Sequence, residues 1–178
     1  MSLRIGLVYD LRKEYLAAGY SEEQAAEFDS EETIEALDNT ISSLGHEVLR
    51  IGNARALCSR LVAGERWDLV FNIAEGVFGR SREAQAPAIL ETYGVPYTFS
   101  DPLVSAVTMD KAVTKRLIRE AGLDTTDFLV VHQLSDLREC AMKFPLFAKP
   151  VAEGTGKGID QYSRIESGQQ LESRCGEL

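Results

Sequence analysis

The chain is poor in cysteine, proline and histidine, has no long apolar run, and carries no surplus of positive charge. Its three cysteines, Cys58, Cys140 and Cys175, are widely spaced and odd in number. None forms a CxxC pair, so neither a disulfide framework nor a zinc site is indicated, and a reducing cytoplasm fits best. No apolar stretch approaches the roughly 18 residues of a membrane span. The N-terminus enters strand-like sequence at once, which leaves no room for a signal peptide. With 28 acidic and 19 basic residues the net charge is −9. General binders of nucleic acid or anionic membranes need a cationic face, so neither partner is expected, although a local cationic pocket remains compatible with this balance. His46 and His132 stand far apart and read as surface residues. No GxGxxG follows the first strand-like run, which removes a dinucleotide fingerprint.

A length of 178 residues suffices for one substantial domain, or for one domain plus part of another. Leu3 to Tyr9 reads as a buried strand, and Leu11 to Phe28 as an irregular, polar insertion. Asp29 with Glu32 has capping-box spacing and opens a helix carrying Ile34, Leu37, Ile41 and Leu44, stopped by Gly45. Glu47 to Ile51 is a second strand. Asn53 caps a helix with Leu57, Leu61 and Val62 inward. Trp67 to Ile73 is nearly all apolar and reads as a central third strand. Arg82 to Tyr93 is helical, with Pro87 demanding a late start or a kink. Val95 to Phe99 is a short fourth strand.

This alternation predicts an α/β fold, an open parallel doubly wound, Rossmann-like sheet with helices on both faces. Ligands of such sheets bind outside the carboxyl ends of the strands. That rim holds Asp10, the loop from Asn72 to Arg82, and the Ser100–Asp101 turn. Asp10 suits either a rim role or a turn cap. The acidic run from Glu22 to Glu32 reads as a solvated face. The expected boundary separates residues 1–103 from an α+β unit, 104–178. The second unit begins with a helix over Lys111 to Glu120. A strand over Phe128 to Val131, a polar helix around Ser135 to Met142, a return strand over Ile159 to Tyr162 and a last helix over Gln169 to Cys175 follow. It has too few elements to close a sheet sandwich by itself.

The richest stretch is Phe144 to Ile159. An apolar, buried strand with Phe144, Leu146, Phe147 and Ala148 ends in Lys149-Pro150. Then comes Glu153-Gly154-Thr155-Gly156-Lys157-Gly158. Glycines admit backbone N–H groups close to an anion and lysines offset its charge, so the stretch suits a polyphosphate. It equally suits a glycine-rich turn with two solvated lysines. A Walker A loop is excluded, because Gly156-Lys157 is followed by Gly158 and position 151 is Val.

Four stretches in order resemble the D-alanine–D-alanine ligase family of ATP-grasp enzymes. They are Glu91-Thr92-Tyr93-Gly94-Val95-Pro96-Tyr97-Thr98, Met109-Asp110-Lys111 with Lys115, Phe144-Pro145 to Lys149-Pro150, and Glu153-Gly154-Thr155 to Gly158. The resemblance runs from about Trp67 to Ile159. It implies a pre-ATP-grasp domain over 1–103 and the incomplete first lobe of an ATP-grasp domain over 104–178. It also implies an ATP-dependent carboxylate–amine ligase of peptidoglycan precursor synthesis, in which one substrate's carboxylate becomes an acyl phosphate and the second substrate's amine attacks it. ATP and Mg2+ would be the cofactors, with the magnesium ligands outside this chain, and a homodimer is compatible. Lys111 and Lys149 would contact ATP phosphates, with Glu153, Gly154, Gly156, Lys157 and Gly158 closing over them. Thr155 stands where the family has a serine supporting the first substrate, and so takes the catalytic assignment.

The departures lie in the substrate loop. The family's histidine that faces the first D-alanine is Glu75 here, and its acidic pair is Arg80-Ser81, with Arg82 next. These residues are assigned to substrate binding, with the arginines able to fork a carboxylate. The exchange motivates a second reading, an ATP-grasp ligase for a different amino acid or peptide. A third is a non-catalytic doubly wound binding domain. The resemblance places the adenine hinge, a catalytic arginine and most of the second-substrate site after Leu178, so this chain is expected to be a truncated portion, inactive alone.

Overall fold

The computed structural model describes residues Met1–Leu178. They form two compact units, Met1–Ala106 and Val107–Leu178.

The first unit is built on β1 (Arg4–Val8), flanked by β2 (Glu47–Gly52) and β3 (Leu69–Asn72) in a parallel sheet of order β2-β1-β3. Three parallel strands need crossovers, and helices supply them. The period of two in β1 sends its side chains to opposite faces. Val8 joins Ile51, Leu57, Leu61, Trp67, Val70 and Leu90 in one buried cluster, while Leu7 joins Leu11 and Ile34 in the other. Leu57 and Leu61 come from α3 (Ala54–Val62), Leu90 from α4 (Gln85–Thr92) and Ile34 from α2 (Glu31–Ser43). Both faces of the sheet are therefore covered, as the alternation of elements predicts.

Local chemistry sets the ends of these helices. Asn53 caps α3 as expected, its Oδ1 accepting from Arg55 N and Ala56 N, both at 3.1 Å. For α2 the cap is Ser30, not Asp29. Its Oγ accepts from Thr33 N at 3.2 Å, while the Asp29 amide donates to the Asp10 carbonyl at 3.0 Å. Pro87 is tolerated because a 3₁₀ turn over Arg82–Ala84 precedes α4, so the proline falls in the first helical turn, where its missing N–H costs nothing. The expected fourth strand is reduced to a bridge between Val70 and Tyr97. Two hydrogen bonds hold it, Val70 N to Pro96 O at 2.8 Å and Thr98 N to Val70 O at 2.9 Å. The irregular insertion contains one short helix, α1 (Arg12–Ala17).

The second unit opens in α5 (Pro102–Met109), whose last residues belong to it, and continues with α6 (Lys111–Glu120). Asp110 caps α6, its Oδ1 accepting from Ala112 N and Val113 N at 2.9 Å. Phe128 to Val131 is not a strand, because no neighbouring strand pairs with it. A 3₁₀ turn over Leu134–Glu139 replaces the expected polar helix. The apolar run keeps only β4 (Leu146–Phe147), paired antiparallel with β5 (Arg164–Ile165). The return strand thus lies beyond Ile159 to Tyr162, after a series of turns. Phe144 and Phe147 are 43% and 58% exposed, so this run is not buried as the apolar pattern suggested. A final helix, α7, spans Gly168–Glu177. No helix is long and apolar enough to cross a membrane.

Candidate functional site

In the first unit, the carboxyl ends of β1 and β3 lead into a polar cluster. Asp10, just past β1, is 2% exposed. Its carboxylate accepts the Gly76 amide at 2.8 Å and the Tyr15 hydroxyl, and so clamps the loop that follows β3. Burial and the bond to Asp10 raise the Tyr15 pKa. Gly76 has φ +70°, and a Cβ there would stand 2.6 Å from the Arg82 carbonyl oxygen. No side chain fits this crossing, which accounts for glycine at the position.

Arg82 turns inward. Its Nη2 meets Glu27 Oε2 at 2.8 Å, with the two side chains 7% and 2% exposed. Two expectations change here. Glu27 does not belong to a solvated acidic face, and Arg82 is engaged inside the protein. Arg80 and Ser81 are exposed. The faint signal for Glu27 was its place between Ala26 and Phe28, in an insertion with few apolar residues.

Glu75 is half-buried in the same loop. Burial pushes its pKa up to about 7, with Glu83 and Glu27 adding to the rise and Arg82 opposing it. The same environment raises Asp29, through burial and the nearby Asp10. A carboxyl whose folded-state pKa exceeds its ordinary value binds more protons folded than unfolded, between about pH 4.5 and 7. Stability therefore falls as pH rises through that window. Glu75→Gln is expected to flatten the decline and to stabilise the chain at pH 8 by about 1–2 kcal/mol, after discounting for solvent screening. Urea midpoints of both proteins at pH 5 and pH 8 check this. Parallel pH slopes would refute it.

In the second unit, Lys111 and the glycine loop meet. The Lys111 ammonium donates to the Glu153 carbonyl, and its backbone N–H donates to Val151 O at 3.1 Å. Lys157 Nζ lies 3.0 Å from Glu153 Oε2. The loop folds as two successive turns, Lys157 N to Gly154 O and Ile159 N to Gly156 O, both 2.9 Å. Thr155, Gly156 and Gly158 have φ of +47°, +77° and +71°. A Cβ on Gly158 would stand 2.6 Å from Pro150 Cγ, so the loop's end packs directly against the residue after Lys149. Lys149 and Thr155 are exposed. The Lys115 ammonium lies 2.6 Å from Thr126 Oγ1 and over the Phe128 ring. No group of three or more His, Cys, Asp or Glu side chains is arranged to hold a metal ion.

No protein-family model matches the chain. A D-alanine–D-alanine ligase of Sinorhizobium fredii is 33% identical over 144 residues, 81% of this chain and 45% of that protein. One from Aquifex aeolicus is 33% identical over 135 residues, 75% of this chain and 45% of that protein. In fold, the chain is similar to a Bacillus anthracis D-alanine–D-alanine ligase, with a TM-score of 0.68 at 21% identity, over 99% of this chain and 53% of that one. It is also similar to an Enterococcus faecalis D-Ala:D-Ser ligase, with a TM-score of 0.65 at 19% identity, over 99% of this chain and 59% of that one. The chain spans about half the length of the relatives it matches.

Proposed function

We propose, from a chain related in sequence and fold to the N-terminal portion of the D-alanine–D-alanine ligases, that its second unit contributes a polyphosphate-binding half-site to an ATP-dependent carboxylate–amine ligase. In this reading the first unit is the pre-ATP-grasp domain and the second is the first ATP-grasp lobe. The observation that carries the proposal is Lys111 seated on the Glu153 carbonyl, with Lys149 before the same glycine loop and Lys157 within it. The lysines could offset the charge of a polyphosphate, and the loop's glycines let its amides approach that anion. Glu153 offsets Lys157 and would be exchanged for phosphate oxygens. When bound, ATP supplies the phosphoryl group that activates a carboxylate. The chain's part is to place that group, with Lys111 and Lys149 drawing charge toward it and Gly154, Gly156 and Gly158 wrapping it. Thr155 keeps a hydroxyl for the first substrate.

Glu75, Arg80 and Ser81 are the proposed substrate-side residues. The half-buried Glu75, close to protonation at neutral pH, favours an amino-acid or peptide substrate other than D-alanine as the second reading. A carboxyl there can donate or accept, whereas the family's histidine presents a different pattern.

Isothermal titration of the 178-residue chain with ATP and with inorganic tripolyphosphate tests the half-site. Both are expected to bind weakly, with affinity falling as salt rises. Absence of binding by either at millimolar concentration would sink the proposal.

A further inference from the structure

α7 is mostly exposed, yet Arg174 on it is only 7% exposed. Its Nη2 donates to the Gly158 carbonyl at 2.8 Å and to Ser163 Oγ at 3.3 Å, and stands 3.3 Å from Asp160 Oδ1. Nη1 meets Glu177 Oε2 at 3.2 Å. Nε is buried without a partner. Ser163 is itself fully buried, and its carbonyl receives the Ala148 amide at 2.8 Å at the end of β4. A buried guanidinium is costly, and an apolar residue would fill the same space more cheaply. An arginine at this place is explained by what it grips. It ties α7 to the last residue of the glycine loop and to the segment entering β5. Gly158 in turn abuts Pro150, next to Lys149.

We propose that Arg174 is a positioning residue for the glycine loop. It anchors the loop's C-terminal end from behind, so that the turns over 154–159 are formed before an anion arrives and Lys149 and Lys157 present to it together. The inference rests on the polyphosphate reading above. Lys111 holds the front of the loop at Glu153, and Arg174 holds the back at Gly158. Preorganisation of this kind raises affinity by removing the ordering cost from the binding step.

The test compares the intact chain with Arg174→Met and Arg174→Lys, by amide hydrogen exchange and by titration with inorganic tripolyphosphate. In Arg174→Met the Lys157 and Ile159 amides are expected to exchange at least tenfold faster, while the α6 amides keep their rates. Tripolyphosphate affinity falls about tenfold. Arg174→Lys, which keeps the charge and one hydrogen bond, recovers part of both effects. Unchanged loop exchange in Arg174→Met overturns the proposal. So does exchange that rises equally in α6 with no rescue by lysine, because that marks a merely structural role. If Arg174→Met fails to fold, Gly158→Ala disturbs the same junction from the other side, and it is expected to loosen the Lys157 and Ile159 amides likewise. A wild-type chain with protected loop amides that binds no tripolyphosphate refutes the polyphosphate reading itself, a result distinct from failure of the anchor.

Discussion

Arg82→Met is expected to destabilise the first unit by about 3–5 kcal/mol, the cost of removing one partner of a buried ion pair. Glu27, whose side chain is 2% exposed, would lose the guanidinium 2.8 Å away. Methionine approximates the arginine stem, so most of the loss is electrostatic and not a cavity. The change also removes the charge that opposes the rise in Glu75. Glu75 should therefore titrate higher still. The double variant Glu27→Gln/Arg82→Met should recover much of the stability, because the buried carboxylate charge is removed together with the guanidinium. The urea midpoint followed at Trp67 is a suitable signal, since this residue is packed in the core of that unit. A loss below about 1 kcal/mol, typical of an exposed pair, would show that solvent reaches the ion pair and would refute its buried character.

Lys111→Met is expected to lower tripolyphosphate affinity at least tenfold, since a charge-assisted hydrogen bond is worth about 1.5–3 kcal/mol. Two losses combine in this variant. One cation leaves the half-site, and the Glu153 carbonyl is released from the ammonium that holds it. The salt dependence of binding should weaken as well, because fewer charges take part. Lys115→Met is the internal comparison. That ammonium is occupied with Thr126 and the Phe128 ring, so its removal should leave affinity within about twofold of the parent, in keeping with a screened surface charge. Equal losses in the two variants would show that the net charge of the chain matters and the seating of Lys111 does not.

Much of the first unit was legible because its signals are local or periodic. Apolar runs over Leu3 to Tyr9 and Trp67 to Ile73 contain β1 and β3, and Asn53 caps α3 through a contact within three residues. The cap of α2 was misplaced by one residue. Asp29 and Ser30 are equally good caps in isolation, and the Asp29 amide is taken up by the distant Asp10 carbonyl. The second unit was less legible. Its strands are two residues long, and whether Phe128 to Val131 or Leu146 to Phe147 becomes a strand depends on which finds a partner.

The candidate residues divide in the same way. Lys111, Lys149 and the glycines stand in ordered motifs that are visible along the chain. By itself the sequence determined the alternating α/β pattern of the first unit, the constraint that Pro87 places on the start of α4, and the clustering of lysines and glycines along the chain, because each depends on periodicity, backbone sterics or charge close by. Only the tertiary structure decided that Glu27 is the buried partner of Arg82, that Asp10 clamps Gly76, and that Arg174 grips Gly158. These pairs are separated by 55, 66 and 16 residues. A charged side chain's energy depends on which distant group excludes water and supplies its counter-charge, and no local pattern encodes that meeting.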